Sequence, residues 1–328
     1  MKSANTKTYP IDFPLVTIVV IGINTQQTIE RCLRAVEAVN YPSDKLQVVY
    51  VDGGSTDQSL VVVRRFPWVE VVELRHPHPT PGRGRNAGWR IAKGELIQFL
   101  DGDTTIHPDW LYMAVKEVRG KVGAVCGRRS ERAPRRNMYH LISHLELGDG
   151  CDFCKAFGGD VLIRREVMNL LDGYDEELIA GEDPDLSYRL RQEGYEILFL
   201  PVEMTQHDIS MTCFKQYWLR SFRSGHAYAE VAMRYWRRKE KLWLRELMRI
   251  TVGTIAPWVI LVSGFTIGRP ILGIISAFGI AFRGLRKFPY YCRHLSWKES
   301  LLYCLHLALV GYPQCAGALK YFSSKIKR

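Results

Sequence analysis

With 328 residues the chain has room for one large domain plus an appendage, or for two modest domains. Its apolar share of 47% is that of an ordinary globular protein, although roughly the last eighty residues are much more apolar than the rest. The net charge of +11 is equally uneven. Nine Lys/Arg face three Glu from Arg220 to Arg249, just before the first long apolar run, a placement that favours anionic lipid headgroups and sets nucleic acid aside as a partner.

Val16–Ile21 reads as a buried strand, and Thr28–Val39 as a helix, because Ile29, Leu33 and Val36 recur at helical spacing. Leu46–Val51 is a second strand, closed by the turn Asp52–Asp57, and Val69–Leu74 is a third. Pro81–Gly88 reads as a glycine- and arginine-rich loop feeding a short helix, Asn86–Lys93, and Glu95–Leu100 as a fourth strand ending at Asp101. Pro108 opens another helix, where its missing N–H does no harm. Val122–Cys126 is a fifth strand, and Arg128–Arg136 a basic surface loop. Order returns with Val161–Ile163, the helix Glu182–Gln192 and the strand Ile197–Leu200. This alternation predicts an α/β fold, a mainly parallel sheet flanked by helices. Such sheets bind ligands beyond the carboxyl ends of their strands, where Asn24, Asp52 and Asp101 all fall.

Met211–Arg238 reads as helical, with aromatics and arginines mixed, and three apolar stretches follow. Ile250–Gly268 carries no formal charge and is long enough to span a bilayer, whereas Ile271–Phe282 is short for a span. Leu301–Leu319 has the length but contains His306, Pro313 and Gln314, which argues for a segment that does not span. The polar N-terminus lacks the apolar segment of a secretory signal, so the eight scattered cysteines are expected as reduced thiols. Cys151 and Cys154 form a lone CxxC, read as ordinary thiols and not as a zinc or redox site.

The residues that carry chemistry begin with Asp101-Gly102-Asp103 at the end of an apolar strand. Two carboxylates two apart at a strand end can converge on one cation, and Gly between them permits close backbone approach. A Mg²⁺ or Mn²⁺ held there would offset charge on diphosphate oxygens. Alone the tripeptide would be an ordinary turn. Its context is a basic, glycine-rich stretch upstream, able to present cationic groups to phosphate, and Gly181-Glu182-Asp183-Pro184-Asp185 at a helix start downstream.

Together these blocks resemble the family 2 glycosyltransferases of the GT-A fold over roughly Leu15–Val231. The matching blocks are Thr17–Asn24, Val48–Asp57, Gly82–Asp103, Phe157–Val167 and Gly181–Leu190, in this order. The resemblance implies that Asn24, Asp52, Arg85 and Asp101 bind the donor, with Asp52 at the base and Arg85 near the diphosphate. It implies a divalent cation, Mn²⁺ or Mg²⁺, on Asp103 and His207. Gly158, Gly159 and Glu182 fall on its acceptor side, and Asp183 in the position of the general base. The implied reaction is one in-line displacement from a nucleotide-sugar donor to an acceptor hydroxyl, with inversion at the anomeric carbon. The acceptor would be a saccharide or lipid-linked molecule beside membrane lipid, and the catalytic domain would face the cytoplasm. Gln216–Arg220 departs from the Gln-x-x-Arg-Trp element of processive relatives, which favours single-sugar addition.

The expected organisation is an N-terminal tail (1–14), a GT-A catalytic domain (15–210) and amphipathic interfacial helices (211–249). Transmembrane or membrane-associated helices (250–320) and a basic C-terminal tail (321–328) complete it. Two other classes compete: another metal-dependent, nucleotide-using α/β enzyme, and a non-catalytic membrane scaffold with a transferase fold. A nucleotidyltransferase would need a Gly-rich, Lys-containing loop after the first strand, where Gly22-Ile23-Asn24-Thr25 stands, and a dehydrogenase would need G-x-G-x-x-G there. A non-catalytic membrane scaffold would have no reason to keep Asp52, Asp101, Asp103 and Asp183.

Overall fold

A computed structural model describes residues 13–147, 153–269 and 271–326. Most of the N-terminal tail, Cys151, Pro270 of the turn between the first two apolar stretches, and Lys327 and Arg328 lie outside the described residues.

The first half of the sheet follows directly from its apolar runs. The strand β1 (Val16–Gly22) is flanked by β2 (Leu46–Asp52) on one side and β4 (Leu96–Asp101) on the other, both parallel to it, and β3 (Val69–Glu73) adds outside β2. Burial of consecutive residues in β1, β2 and β4 reflects helices on both faces. The crossovers carry α1 (Ile29–Glu37), α2 (Ser59–Val63) and α3 (Pro81–Arg90).

Helix α3 corrects the reading of Pro81–Gly88 as a loop. Pro81 stands in the first turn, where it needs no donor, and the Thr80 side chain accepts from Arg83 N. The glycines serve packing: a Cβ on Gly88 would lie 2.2 Å from a Val19 methyl. They bring this basic helix down onto β1.

The second half of the sheet is mixed. It comprises β5 (Thr104–Ile106), α4 (Trp110–Ala114), β6 (Val122–Glu131), α5 (Met138–Leu147), β7 (Val161–Arg164), α6 (Arg165–Leu171), α7 (Glu182–Gln192) and β8 (Glu196–His207). Strand β7 is antiparallel to β4 and β6, β6 is parallel to β8, and β5 is antiparallel to β8. The order across the sheet is β3-β2-β1-β4-β7-β6-β8-β5. Arg128–Glu131, expected in a surface loop, continues β6 instead; irregularities near Gly127 let the strand bend and keep pairing with Glu203–His207.

Among the described residues six helices follow: α8 (Phe214–Tyr235), α9 (Leu244–Thr266), α10 (Ile271–Leu285), the short α11 (Phe288–Tyr291), α12 (Trp297–Leu309) and α13 (Gly311–Ile326). Helices α8 and α13 touch backbone to backbone. A Cβ on Gly225 would lie 1.8 Å from the Gln314 carbonyl oxygen, and one on Gly317 would lie 1.9 Å from that of Phe222. A glycine on each helix is what permits this approach. Two stretches, Leu244–Thr266 and Trp297–Ile326, are long and apolar enough to cross a membrane by length and composition, which is weak evidence for spanning. They differ in surroundings: 22% of the first one's apolar stretch is buried inside the protein, against 61% for the second. Within the second, His306 meets the Tyr217 hydroxyl at 2.8 Å and Glu146 at 3.2 Å. Helix α9 instead exposes Val252, Trp258, Val259, Val262 and Phe265, and α10 exposes Ile271, Ile275, Phe278 and Phe282. Apolar surface this extensive marks a partner or a lipid phase.

Candidate active site

A cleft of about 770 Å³ opens where β1, β2 and β4 end, and its wall includes Arg85, Asp101, Asp103, Gly158, Gly159, Glu182, Asp183 and His207. Its volume suits a ligand with the bulk of a large cofactor. Eight of the ten residues singled out from the sequence therefore border one space. The other two, Asn24 and Asp52, shape the loop beside it. Asp52 Oδ2 accepts from Gly54 N and Ser55 N at 2.9 and 2.8 Å. Asn24, held at a positive φ of 54°, accepts from Thr56 N at 2.8 Å. The cleft wall at this place is Ile23, Thr25 and Gly53.

Arg85 is buried at the bottom of the cleft, and carboxylates surround it. Its Nη2 donates to Asp101 Oδ1 at 2.9 Å, its Nη1 donates to Glu182 Oε1 at 2.7 Å, and Asp183 Oδ1 lies 3.6 Å from Nη1. The Tyr174 ring closes the far side, 5.3 Å from the guanidinium carbon. One cation thus fixes three acids from two separate segments of the sequence, the geometry for which a planar fork of donors is suited. Gly181 precedes these acids at a φ of 91°, a conformation open to glycine, and lets α7 begin at Glu182. Burial pushes the Asp183 carboxyl up, and the nearby Glu182 and Asp101 add to this against the pull of Arg85. Its Oδ1 has no hydrogen-bond partner among the described residues, so it is free to accept one. Asp101 goes the other way: burial would raise it, but Arg85, Arg129 and His207 together hold it below the usual carboxylate range.

Asp103 faces His207, with Nε2 3.2 Å from Oδ2. The other ring nitrogen of His207 lies 3.3 Å from Glu131 Oε2, and Glu131 also takes His140 Nδ1 at 2.8 Å. Burial would lower the His207 pKa, but its contacts with Asp103 and Glu131 push it up to about 9. A cation bound at Asp103 would take the place of the Nε2 proton, while Nδ1–H stays on Glu131. Asp103 Oδ1 is buried with no hydrogen-bond partner among the described residues. Carboxylate oxygens and one imidazole nitrogen are donors that suit Mn²⁺ or Mg²⁺. The residues present fit a divalent cation.

Gly158 and Gly159 lie where side chains would collide with this charged cluster. A Cβ on Gly159 would be 2.3 Å from Asp101 Oδ2, and one on Gly158 would be 2.8 Å from Arg129 Nη1. Sequence reasoning missed two participants. Arg129, on the extended part of β6, lies 3.0 Å from Asp160 and 3.8 Å from Asp101. Asp160, fully buried, accepts from Asp101 N at 3.1 Å and from the Thr205 hydroxyl at 2.6 Å, and so pins β4 to β8. The signal for Asp160 was in the Gly158-Gly159-Asp160 block; Arg129 left none. Cys154, the described half of the CxxC, has a different neighbour, Cys126, at 3.7 Å between sulfurs.

Residues 17–168 match the sequence profile described as glycosyl transferase family 2. The glycosyltransferase AglE of Haloferax volcanii is 26% identical over 195 residues, 57% of this chain and 64% of that protein. The probable glycosyltransferase YdaM of Bacillus subtilis is 24% identical over 245 residues, 68% of this chain and 57% of that one. The chain thus spans less than two thirds of the length of these curated relatives. Among solved structures, the mannosyltransferase PcManGT from Pyrobaculum calidifontis, in complex with GDP-Man and Mn²⁺, superposes with a TM-score of 0.64 at 22% identity, over 96% of this chain and 89% of that one. The fold is therefore GT-A-like.

Proposed function

We propose that this chain, whose residues 17–168 match the glycosyl transferase family 2 profile, moves a sugar from a nucleotide-diphosphate donor to the hydroxyl of a membrane-associated acceptor, saccharide or lipid-linked. One observation carries the reading: Asp183, with an unsatisfied carboxylate oxygen, shares a single cleft with Asp101, Asp103 and His207.

An alcohol is a poor nucleophile until a base takes its proton as the new bond forms. Asp183 is that base, and burial makes its carboxylate more basic than an exposed one. The acceptor oxygen attacks the anomeric carbon, the bond to the diphosphate oxygen breaks, and the electron pair leaves with the nucleoside diphosphate. One base and one departing group make a single displacement with inversion. Asp101, Asp103 and His207 would hold the divalent cation, which when bound offsets charge on the diphosphate. Arg85 holds Asp101, Glu182 and Asp183 in register, while Arg129, Arg220 and Arg223 give the wall cationic groups for the departing phosphates. Asn24 and Asp52 shape the loop for the donor's base end.

Residues 15–210 form the catalytic unit in this reading, 211–249 lie at the membrane interface, and 250–320 attach the protein to the cytoplasmic face. The exposed apolar faces of α9 and α10 and the basic run before α9 support the attachment. The variant Gln216–Arg220 element supports addition of one sugar at a time. Incubating full-length protein with a panel of nucleotide sugars and Mn²⁺ tests the reading. Release of nucleoside diphosphate from one donor is expected, and no release from any donor would overturn it.

A further inference from the structure

A second chamber of about 590 Å³ adjoins the cleft, walled by α5, α8, the start of α9 and α13. Gly158 and Arg220 border both spaces, so the two meet there. Four aromatic residues contribute to its wall: Tyr139, Tyr217, Tyr228 and Trp243. They are arranged as two pairs, Tyr139 with Tyr217 at 5.9 Å and Tyr228 with Trp243 at 4.9 Å between ring centroids.

The polar part of the wall has unmet capacity. Ser143 and Gln314 are both more than nine-tenths buried. The Ser143 hydroxyl and the Gln314 side-chain oxygen have no hydrogen-bond partner among the described residues. Such groups are disfavoured in a closed interior and are met by a ligand that brings hydroxyls. Rings that offer apolar faces, set beside hydrogen-bonding oxygens, are the chemistry that recognises a pyranose: its C–H face lies on a ring and its hydroxyls reach the oxygens. An alkyl chain would leave both oxygens unmet.

We propose that this chamber seats a sugar residue of the acceptor, with the hydroxyl to be glycosylated passing Gly158 toward Asp183. The assignment rests on the glycosyltransferase reading above. Gln314 belongs to α13, so the C-terminal helices take part in recognising the acceptor as well as in attachment. Arg220 stands at the junction, where an acceptor and the departing diphosphate would both pass.

Saturation-transfer NMR on the full-length chain tests this, with UDP and GDP present to occupy the donor side. The probes are methyl glycosides of glucose, galactose, mannose and N-acetylglucosamine, together with dodecyl maltoside. Saturation of at least one methyl glycoside is expected, abolished by Ser143→Leu, which fills the chamber, and weakened about fivefold by Gln314→Leu. Should Ser143→Leu fail to fold, Gln314→Leu and Ser143→Ala, each expected to weaken binding, carry the test. Binding unchanged in these variants, no saturation of any glycoside, or saturation confined to the alkyl protons of dodecyl maltoside overturns the proposal. Binding needs no turnover, so the two readings fail separately. A chain that releases nucleoside diphosphate yet binds no glycoside defeats the chamber alone, and one that binds glycosides yet cleaves no nucleotide sugar defeats the transferase reading.

Discussion

His207 Nε2 lies 3.2 Å from Asp103 Oδ2 because Thr104, the residue after Asp103, pairs across strands with His207 itself. Substituting Asp103→Asn is expected to abolish transfer, and a chelator should silence the native chain until Mn²⁺ or Mg²⁺ is restored. Glu131 orients His207 from behind. Glu131→Gln should therefore raise the Mn²⁺ concentration for half-maximal activity by about tenfold to a hundredfold. Full activity in chelator removes the cation from the mechanism.

Asp183→Asn nearly preserves shape but cannot accept a proton. Turnover should fall by about a hundredfold or more while the donor KM holds. Asp185→Asn should affect turnover much less, since Asp185 is engaged by Tyr235 at 2.6 Å and Arg189 at 2.9 Å.

The pH profile follows from the same residue. A base works deprotonated, and burial pushes Asp183 up to about 8, with Glu182 and Asp101 adding to the effect. kcat/KM should rise as pH climbs through that region. Asp183→Asn should flatten this limb in whatever activity remains. A native profile already flat from pH 6 upward would count against Asp183 as the base.

Arg85→Met leaves Asp101, Glu182 and Asp183 without their shared cation. A cost of about 3–5 kcal/mol is expected, read as a lowered midpoint in denaturant. Asp101, held low chiefly by Arg85 against the effect of burial, contributes stability above the ordinary carboxylate pKa of about 4. That contribution disappears as pH falls through its depressed value, so the gap between native and variant should narrow in acid.

Gly317→Leu would drive a side chain into the Phe222 backbone. Separation of α13 from α8 is expected, seen as new protease sites in the C-terminal helices. For the membrane reading, a reporter fused after Arg328 should give cytoplasmic signal if α9 and α10 form a hairpin and α12–α13 stays packed on α8. External signal would mean three crossings.

The parts of the fold built from uninterrupted apolar runs were legible: β1, β2 and β4, and the acids at their ends. Helix α3 was misread because its glycines look like loop residues until Val19 is seen pressed against Gly88. The end of β6 was misread because Arg128–Glu131 has left the apolar core and carries the residues of a solvated loop. Helix α5 lay in a segment with no recognisable start, and three-residue β5 was too short to leave a pattern. The likeness to solved structures bears out the fold, and local motifs pointed to eight residues that line one cleft. Their partners were invisible. Nothing near Arg85 in the sequence shows that it pairs with Glu182, ninety-seven residues on. Long-range ion pairs follow from topology, and local spacing carries no trace of them.

Strand β4 lies in the middle of the sheet and β5 at its far rim, yet Gly102 and Asp103 suffice to carry the chain from one to the other. A flat sheet could not be crossed in so short a step; this one must curl until its rim comes round to its centre. Any ion gripped by Asp101, Asp103 and His207 would then act as a clasp on a rolled surface, fastening two edges that the chain alone joins by a single short turn. Occupancy at a hundred times Kd would add about 2.7 kcal/mol to the folded state. The heat resistance of this protein should accordingly climb with Mn²⁺ concentration before any sugar nucleotide is supplied.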